Sequence, residues 1–352
     1  MKHETRKRRA IAVAAGAALM AGAAVMPAAA ADYTIKAVFL ANTDDEDYDG
    51  LMVFKDYVEA QSNGAIEVEI YPGGQLCGNP LECLEALQGG IIEVFQTTFG
   101  GFGNMVPEAQ VMDLPYIFPS DRVAECALAN DTDFYKKVRE ATLEKTGNIR
   151  LMTIGNTGGW RNFATTTKQI KTPADVSGLK IRTISSELQQ QLVSAMGGSP
   201  TAVSWPEVYT SLATGVIEGT KNGITDIVGM KFNEHLKYIT LDGHAYMGAL
   251  WMLNNDFYQG LPDDLKGIVA DGFDALRWTT IVFPKRRQIE AYETFKETGG
   301  EIYVPSAEER QQFVEAAQPV WDWYKENYGE EWLASLQGAI DTCEQQIADQ
   351  RS

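Results

Sequence analysis

Two arginines carry the clearest chemistry in this chain. Arg161 lies in "GGWRNF" and Arg182 in "GLKIRT", on either side of the proline-containing loop "KTPAD". Arginine presents a permanent planar fork of donors that grips a carboxylate through two parallel hydrogen bonds. Each charge-assisted bond is worth about 1.5–3 kcal/mol. A micromolar complex needs about 8 kcal/mol, so one clamp, an aromatic wall and a few amides cover most of it. By pattern alone an ordinary surface arginine is the commoner reading of either position. Both readings are carried to the structure.

Signatures of covalent or phosphate chemistry are missing. "GFGN" and the other glycine clusters fit neither the phosphate-loop pattern nor the dinucleotide fingerprint. No serine sits in G-x-S-x-G. His235 in "NEHLKY" and His244 in "DGHAY" have no adjacent nucleophile and read as exposed or capping residues. Among 48 Asp and Glu no spacing picks out a catalytic pair. "NTDDEDYDG" has the composition of a calcium loop but lacks its D-x-D-x-D-G-x₅-E order. It reads as a solvated loop with Asn42 close to the binding cleft.

The elements that must position these residues alternate between strand and helix. "YTIKAVFL" reads as a strand, "YDGLMVFKDYVEAQSNG" as a helix stopped at Asn63-Gly64, and "AIEVEIYP" as a second strand. "LECLEALQGG" is a short helix and "IIEVFQTT" a third strand. "DFYKKVREATLEKTG" is a helix and "NIRLMTIG" a strand. The second half repeats the rhythm with the strand "LKIRTI" and the helix "SELQQQLVSAMGG". "SWPEVYTSLATG" carries a capping box, Ser204 with Glu207. "GHAYMGALWMLNN" is an apolar strand long enough to pass between domains. "PDDLKGIVADGFDALRWTTIVFPKRRQIEAYETFKETGG" is a very long helix. This βαβ alternation predicts an α/β fold with mainly parallel sheets. Ligands of such sheets sit beyond the carboxyl ends of the strands, and Arg182 lies near one.

The chain has 352 residues, enough for about two domains. "MKHETRKRRA", an apolar Ala/Gly run and "PAAAA" have the layout of a secretory signal peptide over residues 1–31. Arg8 and Arg9 leave both the general and the twin-arginine export routes open. This leader carries five Lys/Arg and one Glu, so its removal takes the net charge from −18 to −22. An exported chain this acidic argues against nucleic acid or an anionic membrane as partner. It leaves room for a small anion, because salt screens distant charges over about 8 Å. Export implies an oxidising periplasm, where cysteines pair. Four cysteines allow three pairings. Cys77 and Cys83 flank the turn in "CGNPLEC", which favours a local bond and leaves Cys126 with Cys343. A zinc site is the weaker alternative, since no C-x-x-C is present.

The run "GWRNFATTTKQIKTPADVSGLKIRTISSELQQQLVSAMGGSPTAVSWPEVYTSLATGVIEGTKN" resembles the core of the solute receptors of tripartite ATP-independent periplasmic (TRAP) transporters. "YPGGQL", "LEALQGG" and "VMDLPYIF" resemble further segments of that family. The resemblance implies a two-lobed fold with a crossing strand and a long bridging helix. Lobe I would comprise residues 32–158 and 248–287, and lobe II residues 159–247 and 288–352. It implies capture of a small organic acid anion and delivery to membrane permease subunits, with no cofactor and with a monomer as the default. Arg182 matches the family's carboxylate clamp, Arg161 a second arginine, Trp205 the aromatic before "EVY", and Asn222 the last residue of "EGTKN". Thr97 and Thr98 are the expected contacts from the first lobe. The family pattern has an acid where this chain has Lys221, which speaks against a bound metal. Lys221 faces either the cleft or solvent. In the cleft it would add a third cation and favour a dicarboxylate or a sulfonate. The rival readings are an exported lyase or isomerase and a receptor that feeds a sensor kinase.

Overall fold

The computed structural model describes residues 31–350. The expected leader lies outside the described residues, apart from Ala31. Nine strands build one mixed sheet: β1 (Tyr33–Val38), β2 (Ile66–Tyr71), β3 (Val94–Thr98), β4 (Ile149–Thr165), β5 (Lys180–Thr183), β6 (Ser199–Ala202), β7 (Gly219–Asn222), β8 (Tyr238–Asn254) and β9 (Glu301–Tyr303). The order is β2-β1-β3-β8-β4-β7-β5-β6, with β9 beside β8. The ladders of β1 with β2 and β3, and of β5 with β6 and β7, are parallel. Antiparallel ladders of β3 with β8, β8 with β4, and β4 with β7 join the two parallel groups. The outer strands alternate as their sequence requires: Ile66 and Val68 are buried and Glu67 is exposed.

Two strands cross the molecule, where the sequence suggested one. β4 continues past Gly155 to Thr165, and β8 runs beside it. The expected strand "NIRLMTIG" is only the first part of β4. Gly158 and Gly159, both near φ +80°, carry the chain through a register shift between Asn156 and Trp160. A glycine pair ends a strand pattern by eye, but here it makes a bulge.

The long helix Asp263–Glu297 lays Leu265, Val269, Phe273 and Leu276 against the first helix, Glu46–Gln61. Phe54 and Phe273 meet at 4.6 Å between ring centroids. Pro284 lies inside the long helix. Beyond it, Arg287 reaches Asp49 at 2.5 Å. The last helix, Glu331–Asp349, buries Trp332, Leu336, Ile340 and Cys343 along one face. Both disulfides pair as the spacing suggested, Cys77 with Cys83 and Cys126 with Cys343. Two local expectations fail. The helix after "NTDDEDYDG" begins at Glu46, inside the supposed loop. Ser204 makes no side-chain cap, and its carbonyl accepts from the Glu207 amide instead.

Candidate functional site

The carboxyl ends of β1, β3, β5, β6 and β7 converge on one cavity of about 520 Å³ including its mouth. Ligand pockets favour this end of parallel strands. Thr97 and Thr98 reach it from the end of β3, Arg161 from β4, Arg182 from β5, Trp205 from the turn after β6, and Asn222 from the end of β7. Six of the seven residues expected to bind ligand therefore line one space. Arg161 and Arg182 are only 3% and 4% exposed. Neither is an ordinary surface arginine.

Arg182 is fixed by its own strand neighbours. Its Nε donates to the Val203 carbonyl at 3.0 Å, and its guanidinium carbon lies 5.2 Å from the centre of the Trp205 ring. The fork of Nη1 and Nη2 has no hydrogen-bond partner among the described residues. Burial, then the neighbouring Arg161, push its pKa down to about 9, so it stays charged at neutral pH. Arg161 donates from Nη1 to the Lys221 carbonyl at 3.0 Å, and its Nε lies 3.8 Å from Asp113 Oδ1. Asn222 donates to Asp226 at 3.1 Å and accepts from Thr220 at 2.6 Å. The Thr98 hydroxyl is buried without a partner.

Sequence reading missed the acids. Asp45, Asp47 and Asp226 also line the cavity, and all three are at least 95% buried. Asp45 caps the first helix, accepting from the Asp47 amide at 2.9 Å. Glu46 turns back to accept from the Gly158 amide and from the Thr225 hydroxyl. Burial and the neighbouring acids raise Asp45 and Asp47 well above the usual carboxylate range. Burial, then Glu46, push Asp226 up to about 7. The supposed solvated loop is thus an interior wall. Its one legible signal was Asp45 as an N-cap before the apolar run Leu51, Phe54, Val58.

Comparison with known proteins fixes the family. The model of bacterial extracellular solute-binding proteins, family 7, matches residues 39–327. The chain belongs to this family. The C4-dicarboxylate-binding periplasmic protein DctP of Rhodobacter capsulatus is 31% identical, over 94% of this chain and 98% of its own length. The ectoine-binding periplasmic protein TeaA of Halomonas elongata is 29% identical, over 81% of this chain and 84% of its own. A TRAP periplasmic solute-binding protein of Anaerococcus prevotii, crystallised with glucuronate, superposes with a TM-score of 0.83 at 25% identity. That match covers 89% of this chain and 99% of the other. The two-lobed α/β fold is that of the TRAP solute receptors.

The other residues singled out in the sequence of this family 7 protein do not line the cavity. Lys221 does not line it and does not face solvent, being 1% exposed. On β7 it points away from the face that carries Asn222, as strand alternation requires. Its ammonium donates to Gln189 at 3.2 Å, and Gln189 donates to Asp113 at 2.7 Å. Burial, then Arg161, bring its pKa down to about 7. The cavity wall therefore carries two cations rather than three, and the case for a dicarboxylate or sulfonate built on Lys221 falls. His244 is fully buried, with Nδ1 2.7 Å from Asp242, and does not reach the cavity. Of the two histidines among the described residues, His235 alone keeps partial exposure. Asn42 donates to the Gly229 carbonyl at 3.0 Å and does not line the cavity.

Proposed function

We propose that this chain is the periplasmic solute receptor of a TRAP transporter. It captures a small organic acid anion in the cavity and delivers it, unchanged, to membrane permease subunits. One observation carries the reading. Two guanidiniums are almost completely buried on the wall of one cavity, and the terminal fork of Arg182 has no hydrogen-bond partner among the described residues. A buried charge without a partner is costly, and a ligand carboxylate removes that cost. The relatives fit this reading: the ligands in their names, a C4-dicarboxylate, ectoine and glucuronate, all carry a carboxyl group.

In this reading the anion is caught by Arg182, Trp205 covers its body, and Arg161 with Asn222 and Thr98 supply further donors. Lobe I is residues 32–158 and 248–287, and lobe II is residues 159–247 and 288–352. They close around the ligand because its contacts with both favour the closed state. The receptor acts as a monomer in the periplasm.

Calorimetry on Arg182→Ala tests the assignment. Loss of a bidentate, charge-assisted contact worth about 3 kcal/mol or more lowers affinity at least ~100-fold. Circular dichroism of the variant should stay that of a folded protein. Unchanged affinity overturns the clamp. An NMR time course with the bound acid should show no product, and a new species would make the protein an enzyme.

A further inference from the structure

We propose that the solute carries a cationic nitrogen as well as its carboxylate, because the cavity that presents Arg161 and Arg182 also presents Asp45, Asp47 and Asp226. This inference rests on the anion-receptor reading and narrows its ligand class.

The acids form a second pole. Asp45 is the N-cap of the first helix and Asp47 lies in its first turn, and Asp226 comes from the helix after β7. The charges bearing on Asp45 are Glu46, Asp47 and Asp226, and those on Asp47 are Glu46 and Asp226, so each is set among acids. Asp226 links the poles, since Arg161 and Arg182 also act on it or feel it. A separate observation points to a ligand: Asp47 is 2% exposed and lines the cavity, and although the Thr157 side chain supports its carboxyl, its Oδ1 has no hydrogen-bond partner among the described residues. A buried acceptor left in this way is costly until a donor arrives. Among the described residues no group of three or more His, Cys, Asp or Glu is arranged to hold a metal ion. The donor that fits is an N–H or O–H of an organic ligand.

The same arrangement selects against other acids. A dicarboxylate gripped by Arg182 brings its second negative charge into a wall that holds three carboxyl groups and two guanidiniums. That second carboxylate brings no donor for Asp47 Oδ1, and it could only sit beside acids that stay protonated, since ionising them would set like charges together in a desolvated site. A hydroxy acid can donate to Asp47 but leaves the acidic pole without a counter-charge. A protonated amine or amidinium supplies both. It also lets Asp45 and Asp47, which burial holds toward their neutral forms, ionise in the complex.

The test is calorimetry on the full mature chain after exhaustive dialysis, with four probes at pH 7.5. Two are zwitterions, ectoine and γ-aminobutyrate, and two are acids without nitrogen, succinate and D-glucuronate. The expected result is that a zwitterion binds at least 100-fold tighter than succinate. Asp45→Asn keeps the acceptor that caps the first helix, and Asp47→Asn keeps the side-chain shape. Each should lower zwitterion affinity 10-fold or more and narrow the gap to succinate, with thermal unfolding reporting that both variants are folded. If succinate or glucuronate binds tighter than both zwitterions, or neither zwitterion binds, the inference is overturned. Succinate binding that is tighter than that of both zwitterions and is lost in Arg182→Ala would overturn it while leaving the receptor reading in place. Zwitterion binding that survives Arg182→Ala would instead remove the arginine clamp.

Discussion

Asp226 and Arg182 share one wall, and burial moves both toward neutrality. For Asp226 the sign is clear. Its folded pKa, about 7, lies above its unfolded value near 3.8. The folded state thus holds a proton that the unfolded chain has released between about pH 4 and 7. The stabilisation is complete below pH 4 and is lost as pH rises through 7. Asp226→Asn should remove this slope, because an amide does not titrate and its oxygen can still accept from Asn222. At pH 8 the variant should melt about 2 °C or more above the parent, and the gap should close as pH falls to 4. Scanning calorimetry across that range checks it; a parent whose stability climbs from pH 5 to 8 as steeply as the variant's would refute the assignment. At this scale the sequence told half the story. An arginine ending an apolar strand is visible in "GLKIRT". The burial of "DEDYDG" is not, because it depends on Asp226 and Thr225 arriving from some 180 residues away.

Among the elements, β4 decides the shape of the site. Its bulge brings Gly158 so close to the helix start after β7 that a Cβ on Gly223 would lie 1.7 Å from the Gly158 carbonyl. A Cβ on Gly158 itself would lie 2.6 Å from the Asp226 carboxylate, at φ +80°. Gly158→Ala therefore meets two penalties, the left-handed backbone and the displaced acid. It should cost about 1–3 kcal/mol in urea unfolding and weaken ligand binding in the same preparation. A variant as stable as the parent would show that the bulge relaxes freely. The helices and short parallel strands were legible because each follows a local period. The crossing path of β4 was not, because Gly158 and Gly159 interrupt that period at the point where tertiary pairing with β8 keeps the strand going.

Across the whole molecule, one covalent link spans most of the chain. Cys126 and Cys343 are separated by 217 residues, and the bond fastens the last helix to Asp121–Ala127. A loop that long restricts the unfolded ensemble strongly, so the Cys126→Ala, Cys343→Ala double variant should lose ~2–5 kcal/mol. Denaturant titration under non-reducing conditions measures it, and an unchanged midpoint would mean that the apolar face of Trp332, Leu336 and Ile340 holds the helix alone. This pairing was open to sequence reading because only one partner remained after the local turn closed. Its connectivity also has a meaning for biogenesis. Cys77 joins Cys83 and Cys126 joins Cys343, so every bond links a cysteine to the next one along the chain. On a threaded export route, one of the two that the leader leaves open, the thiols would meet an oxidant in that same order. The first pair would close before the third thiol emerges, and the third would wait for the fourth. Oxidation in order of emergence would then reach the native set with no reshuffling.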